Sequence, residues 1–202
     1  MYVVDRFFGK IVQHILSCKI LVTKLISESV DLYFHRNPRR CNTAGTKLLA
    51  TGGNFDGTVK IWNATDGSML ATFRGGSSNS IVSCDVTNTL VAGGGNDKTC
   101  RVWDIKTQRM VHQLVGHTNQ ITCVRFLIGG QGIVTASKDR QIKVWDISKQ
   151  TYRQTTNIVL NSTANSIDMA NNSNTLVSGH TNGSLRFWDI ITGAKSAEIA
   201  GT

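Results

Sequence analysis

Four tryptophans stand at nearly equal intervals in this chain. Trp62, Trp103, Trp145 and Trp188 are separated by 41, 42 and 43 residues. Each closes a strand-like run, and all but the first precede aspartate: VKIWN, CRVWD, IKVWD and LRFWD. A period of about 40–45 residues ending in Trp–Asp belongs to a repeated unit of four short strands, which buries its apolar faces only when neighbours stack against it. Such a chain is an array of similar units, and the pattern points away from an enzyme.

From Lys47 onward, β-rich runs alternate with Gly, Asn and Asp turns, as antiparallel meanders do. Pro38 is the one proline against 19 glycines, so the turns are made without proline. With strands lettered a to d from the inner edge outward, unit one (46–74) supplies LLATGG, the turn NFDG, TVKIW and SMLATF. Unit two (75–115) reads SIVSCDV, TLVAGG, the turn GNDK, TCRVW and RMVHQLV. Unit three (116–157) reads QITCVRF, GIVTAS, the turn KDRQ, IKVWD and TYRQTT. Unit four (158–202) reads ANSIDMA, TLVSGH, the turn TNGS, LRFWD and AKSAEIA. Unit one has no strand a. The expected fold is all-β, a partial β-propeller of about four blades with the first incomplete. An arc of this kind leaves an apolar blade face uncovered at each end, and such faces drive self-association.

Within each unit the Trp has a turn partner six positions earlier: Asp56, Asp97, Asp139 and Asn182. Asp and Asn stabilise tight turns by bonding their own backbone. Unit three has the fullest polar set, with His117 after Gly116, Thr135 and Ser137 on strand b, Asp139 in the turn and Trp145 on strand c. These types suit a buried relay in which the indole N–H donates to a hydroxyl, the hydroxyl to an imidazole and the imidazole N–H to a carboxylate. Unit one has Asn63 where the others have Asp104, Asp146 and Asp189. Gly75-Gly76 opens unit two in place of Gly-His, and no Gly-His precedes unit four. Only unit three is therefore expected to carry the whole network.

A Gly-His followed 28 residues after the His by Trp–Asp, with Asp six before the Trp, resembles the WD40 repeat, and the resemblance covers about residues 46–202. More narrowly, VGHTNQITCVRF, IVTASKDRQIKVWDI and TLVSGHTNGSLRFWDIITG resemble the C-terminal propeller of the autophagy-related protein 16 family. That resemblance implies a scaffold in autophagosome assembly. Its implied partners are the autophagy conjugation machinery, autophagy-related proteins 5 and 12, which directs lipid attachment to autophagy-related protein 8. The implied location is cytoplasmic, with peripheral contact at the autophagosome precursor membrane. In that family the propeller follows a segment that binds autophagy-related protein 5 and then a coiled coil, and residues 1–45 hold no sustained heptads.

Residues 1–45 read as a leader outside the repeats. Phe8, Ile11, Val12, Ile15, Leu16, Lys19, Val22, Leu25 and Ile26 approximate a helical stripe. Lys19 and Lys24 break the apolar run short of the ~20 residues a bilayer span needs. Three readings stay open: an amphipathic membrane-associating helix whose basic face is Lys10, Lys19, Lys24 and Arg36, an organelle-targeting segment, or a foreign start joined mid-blade to a propeller fragment. The net charge is +9, with +4 in residues 1–45 and +5 in the remainder. No run of five like charges occurs, so a solvated surface accounts for most of it. The five cysteines (18, 41, 84, 100, 123) show no CxxC spacing, which suits reduced thiols and no zinc site.

Candidate sites divide into structural and surface groups. His117, Asp139 and a nearby serine imitate a hydrolytic triad, but they sit where the repeat needs them and no GxSxG elbow exists. Gly93-Gly94-Gly95 lacks the GK[ST] of a phosphate loop and precedes a strand. No catalytic residue, cofactor or metal is expected. His180, at the end of strand b, is a candidate partner contact. Lys60, Arg101, Lys143 and Arg186 each stand two before a Trp and form a candidate basic stripe for acidic lipid or protein. Other readings within the fold are a ubiquitin-ligase substrate receptor and an RNA-processing complex subunit. The first is disfavoured by Thr65, Lys106, Ser148 and Ile191 where such adaptors often carry Arg. The second is disfavoured by the lack of interleaved basic and aromatic residues for base stacking.

Overall fold

A computed structural model of the chain describes residues 48–53, 56–63, 65–75, 80–170 and 174–201. The leader 1–45, Asn54 and Gly76 lie outside them. The described residues form four antiparallel sheets and no helix. The first has three strands, β1 (Leu48–Gly52), β2 (Thr58–Asn63) and β3 (Met69–Arg74). The second has β4 (Ile81–Val86), β5 (Leu90–Gly95), β6 (Cys100–Asp104) and β7 (Met110–Leu114). The third has β8 (Ile121–Phe126), β9 (Gly132–Ser137), β10 (Gln141–Asp146) and β11 (Arg153–Val159). The fourth has β12 (Ala164–Met169), β13 (Thr175–His180), β14 (Leu185–Asp189) and β15 (Lys195–Ile199). Within each sheet the strands pair in chain order, the meander of a propeller blade.

The period-2 alternation of each strand puts its apolar residues between blades. Trp103 joins Val59, Ile61 and Phe73 in a core between blades one and two. Trp145 packs with Ala92, Val102 and Leu114 between blades two and three. Trp188 packs with Val134, Ile142 and Val144 between blades three and four. Each Trp thus serves the interface with the preceding blade. In all four blades the register against strand d shifts between the residue before the Trp and the Trp itself, a bulge that re-aims the indole. Blade four lacks a following neighbour among the described residues, and its opposite face leaves Val177, Leu185 and Phe187 half-buried and Ile199 41% exposed. The equivalent positions in blade three, Val134, Ile142, Val144 and Ile158, are buried.

Strand d of blade three lies later than its sequence suggests, at Arg153–Val159 rather than from Thr151. Tyr152 is withdrawn from the strand to pack edge-on against Trp145, centroids 5.8 Å apart, and against His112 at 6.5 Å. The glycines at 93–95 form the buried end of β5. A Cβ on Gly94 would lie 2.5 Å from Ile121 Cγ2 and 2.6 Å from Val124 Cγ2. Close approach of the next blade therefore explains this glycine, and no phosphate loop is present there.

The inner strands are tied across blades by side chains. Ser83 Oγ accepts the Val124 amide (3.1 Å) and Asp85 Oδ2 accepts the Phe126 amide (2.8 Å). Thr122 donates to the Ala164 carbonyl (2.6 Å). Equivalent positions on β4, β8 and β12 hold Asp85, Arg125 and Asp168. Arg125 Nη1 lies 3.5 Å from Asp85 and its Nε 3.3 Å from Asp168. These are ionic contacts without hydrogen-bond geometry, since both nitrogens lack a hydrogen-bond partner.

Candidate functional site

Asx turns close the b–c end of every blade. The side-chain oxygen of Asp56, Asp97, Asp139 and Asn182 accepts the amide two residues on, from Thr58 (3.1 Å), Thr99 (3.3 Å), Gln141 (2.9 Å) and Ser184 (3.3 Å). At the opposite end, the Asp after each Trp caps the c–d turn. Asp104 accepts the Thr107 amide (2.7 Å), Asp146 the Ser148 amide (2.9 Å) and Asp189 the Thr192 amide (2.8 Å). In blade one Asn63 accepts the Thr65 amide (2.9 Å) and Asp66 takes over the Ser68 amide (2.9 Å). The bonds from Thr107, Ser148 and Thr192 hold the Asp104, Asp146 and Asp189 carboxyls below their ordinary range.

In blade three the Trp145 indole N–H donates to Thr135 Oγ1 (2.9 Å), and Thr135 donates to His117 Nε2 (2.7 Å). His117 Nδ1–H donates to Asp139 Oδ2 (2.8 Å). Ser137 accepts the Asp139 amide (3.1 Å) and donates to the Asn119 carbonyl (2.9 Å). Burial pushes the imidazole pKa down, and this outweighs the upward pull of Asp139. The pair is thus a neutral imidazole hydrogen-bonded to a carboxylate. Burial pushes Asp139 up, but the Thr118 amide, His117 and the Gln141 amide outweigh it and hold the carboxyl low. Hydroxyl, imidazole and carboxylate stand in the order of a hydrolytic triad. Thr135, however, is 0% exposed and its oxygen already accepts the indole N–H. No substrate carbonyl can reach it.

Blade four builds a second, partial network, without the turn carboxylate that completes the one in blade three. The Trp188 indole N–H donates to Ser178 Oγ (2.8 Å), which also meets His180 Nε2 (2.8 Å). Arg186 Nη1 donates to Ser162 Oγ (2.9 Å) and stands 3.1 Å from His180 Nδ1. A guanidinium only donates, whereas the Ser162 carbonyl, 3.2 Å from the same Nδ1, only accepts, so the two neighbours ask opposite roles of that nitrogen. Burial, and then the Arg186 charge, push the His180 pKa down. Arg186 Nε pairs with Glu198 (2.8 Å), whose carboxyl is pulled down to about 2 by Lys195 and Arg186.

His180 is therefore corrected from surface contact to buried member, 6% exposed. The legible signal was Ser178-Gly179-His180, since residues i and i+2 of a strand share a face. Blades one and two carry less. In blade one the half-buried Trp62 donates to Thr51 Oγ1 (2.9 Å). In blade two Gly93 takes the hydroxyl's place, and Trp103 leans over it to meet Phe73 at 5.9 Å.

The strand-c cations do not form a free stripe. Lys60 pairs with Asp56 (3.2 Å) and Arg101 with Asp97 (2.5 Å). Lys143 is buried and donates to Gln154 Oε1 (3.1 Å), and Arg186 is buried on Glu198. Each is consumed within its own blade, which corrects the expectation of a basic stripe. Among the described residues, no group of three or more His, Cys, Asp or Glu could hold a metal ion, and no helix is long and apolar enough to cross a membrane.

Repeated Asx turns, Trp-capped strands c and Asp-capped c–d turns define a class of protein, the propeller built from Trp–Asp repeats. The chain belongs to the WD40 family (WD domain, G-beta repeat), whose model matches residues 28–63, 67–104, 108–146 and 150–189. It is 35% identical over 156 residues to autophagy-related protein 16 of Arabidopsis thaliana, covering 76% of this chain and 30% of that protein. It is 37% identical over 144 residues to Protein tipD of Dictyostelium discoideum, covering 70% and 23%. The chain thus spans less than a third of the length of these relatives. The computationally designed protein Ika8 superposes with a TM-score of 0.66 at 28% identity, over 77% of this chain and 47% of that one.

Proposed function

We propose that this chain is a non-catalytic scaffold of autophagosome assembly, acting within a complex like that of autophagy-related protein 16. WD40 repeats support a protein-interaction role, and the buried networks leave their polar groups to structure. The observation that carries the autophagy assignment is the 35% identity to autophagy-related protein 16 across 76% of the chain. On this reading the propeller surface recruits partners for the machinery containing autophagy-related proteins 5 and 12. The chain works in the cytoplasm, with peripheral contact at the precursor membrane.

The test is affinity purification of the tagged full chain from starved cells, followed by mass spectrometry. Recovery of autophagy-related proteins 5 and 12 together with lipidated autophagy-related protein 8 is expected. A chain that returns a ubiquitin ligase or pre-ribosomal particles, with no autophagy component, refutes the assignment and leaves a generic adaptor. The second reading has an observation of its own, 33% identity over 101 residues to the U3 small nucleolar RNA-associated protein 21 homolog of Schizosaccharomyces pombe.

A further inference from the structure

The two rims of the blades differ in charge. Backbone bonds tie the b–c turns to the d–a connections on one rim: Gly75 to Gly57, Asn96 to Ser80, Lys138 to Gln120, and Leu160 to Arg140. On that rim Asp56 and Asp97 are neutralised by Lys60 and Arg101, Asp139 lies inside the His117 network near Lys143, and Glu198 takes Arg186 and Lys195. Arg74, Lys98, Lys138 and Arg140 remain, all exposed. On the opposite rim the exposed Lys106, Arg109, Lys149 and Arg153 are interspersed with Asp66, Asp104, Asp146 and Asp189.

Two of the four cations sit where the backbone resists them. Lys98 (φ 69°) and Arg140 (φ 63°) occupy the left-handed position of the b–c turn. Blades one and four fill the same position with Gly57 (φ 61°) and Gly183 (φ 79°). Glycine is the low-strain choice there, so a long cation at this position carries a local cost. Each is accompanied by a valine on the adjoining outer strand. Val159 lies opposite Gln141, next to Arg140, and is 74% exposed. Val115 holds the equivalent place beside the Lys98 turn, just after the Cys100–Leu114 pair, and is 57% exposed.

We infer that the b–c rim of blades two and three, extended by Arg74 of blade one, is a docking surface for an acidic protein segment that also carries aliphatic side chains. The inference rests on the interaction-scaffold reading above, but not on its assignment to autophagy. Repetition of the cation–valine pair one blade apart suits a segment laid across both blades, with acids on Lys98, Lys138 and Arg140 and aliphatic groups on Val115 and Val159. Nucleic acid would want aromatic platforms, and among the described residues the large apolar side chains exposed at this rim are aliphatic. A membrane surface would want longer apolar side chains than valine and a denser basic cluster.

The full chain is panned against phage-displayed random peptides, and selected peptides are synthesised and titrated by fluorescence anisotropy. Enrichment of Asp or Glu alternating with Val, Leu or Ile is expected. Lys98→Gly/Arg140→Gly is expected to weaken binding roughly tenfold, as loss of two exposed ion pairs allows, while leaving the melting temperature unchanged or raised, because glycine suits the turn. Val115→Ser/Val159→Ser is expected to weaken it as well. Peptides without acidic bias, or binding untouched by either double variant, overturn this surface and leave the scaffold reading standing. Loss in the glycine variant of binding to phosphatidylserine vesicles or single-stranded RNA, with no peptide selected, overturns it in favour of those ligands. A chain that binds none of these probes overturns both readings.

Discussion

Thr135→Val removes one oxygen from the centre of blade three and keeps the side chain's shape. Thr135 Oγ1 holds two bonds, accepting from Trp145 at 2.9 Å and donating to His117 at 2.7 Å. Trp145 is 2% and His117 7% exposed, so water cannot replace the lost hydroxyl. Each of the two buried polar groups left without a partner costs about 1–3 kcal/mol, giving a total of about 2–6 kcal/mol. For a domain of this size, each kcal/mol lowers the melting temperature by about 2–4 °C. The internal control is Thr51→Val in blade one, where a single bond to a half-buried Trp62 is lost and solvent can reach the indole. That variant is expected to lose about 1 kcal/mol or less. Urea unfolding of the two variants beside the parent measures both, through the shift in midpoint at constant slope. Equal losses at Thr135 and Thr51, or a loss at Thr135 within error of zero, would refute the view that the relay in blade three is buried and fully coupled.

Two further outcomes follow from the geometry. Gly94→Ala drives a Cβ to 2.5 Å from Ile121 and 2.6 Å from Val124, and overpacking of this kind costs about 1–3 kcal/mol; Gly129→Ala, with nothing within 4 Å but φ +87°, reports backbone strain alone, and a Gly94 variant no less stable than the parent contradicts the close approach of blades two and three. Stability is also expected to fall on acidification below the ordinary imidazole pKa of about 6.5. His117 and His180 have lowered values in the fold, so the unfolded chain takes up protons first, and the stability present above that pH is lost as it falls through the lower folded values. Urea midpoints between neutral and mildly acidic pH check this, and a His117→Gln/His180→Gln variant with an unchanged pH slope counts against it.

The sequence made the repeat legible because the Trp–Asp period, the turn residues and the strand alternation are all local. Ser178 and His180 show where that stops. Alternation placed them on one face, but the partner that buries His180 is Arg186, held by Glu198 from β15. Lys143 failed in the same way, because its partner Gln154 stands opposite Trp145, past the point where the register shifts at a bulge. Faces can be read along one strand. Pairings require the register of the next, and in blade three Tyr152 displaced that register by leaving the strand for Trp145.

Look-alike units pose a problem of order, since blades with similar faces could dock in the wrong succession or exchange between chains. The inner strands carry an answer in Asp85, Arg125 and Asp168. These three equivalent positions alternate acid, base, acid around the axis. Placing blade two directly beside blade four would set acid against acid, where the arrangement in the fold sets each acid beside Arg125. The alternation marks blades two, three and four differently, and like-charge repulsion would disfavour setting two and four side by side. Near the axis, then, these charges favour the succession of blades two, three and four, alongside the adhesion supplied by the tryptophan interfaces.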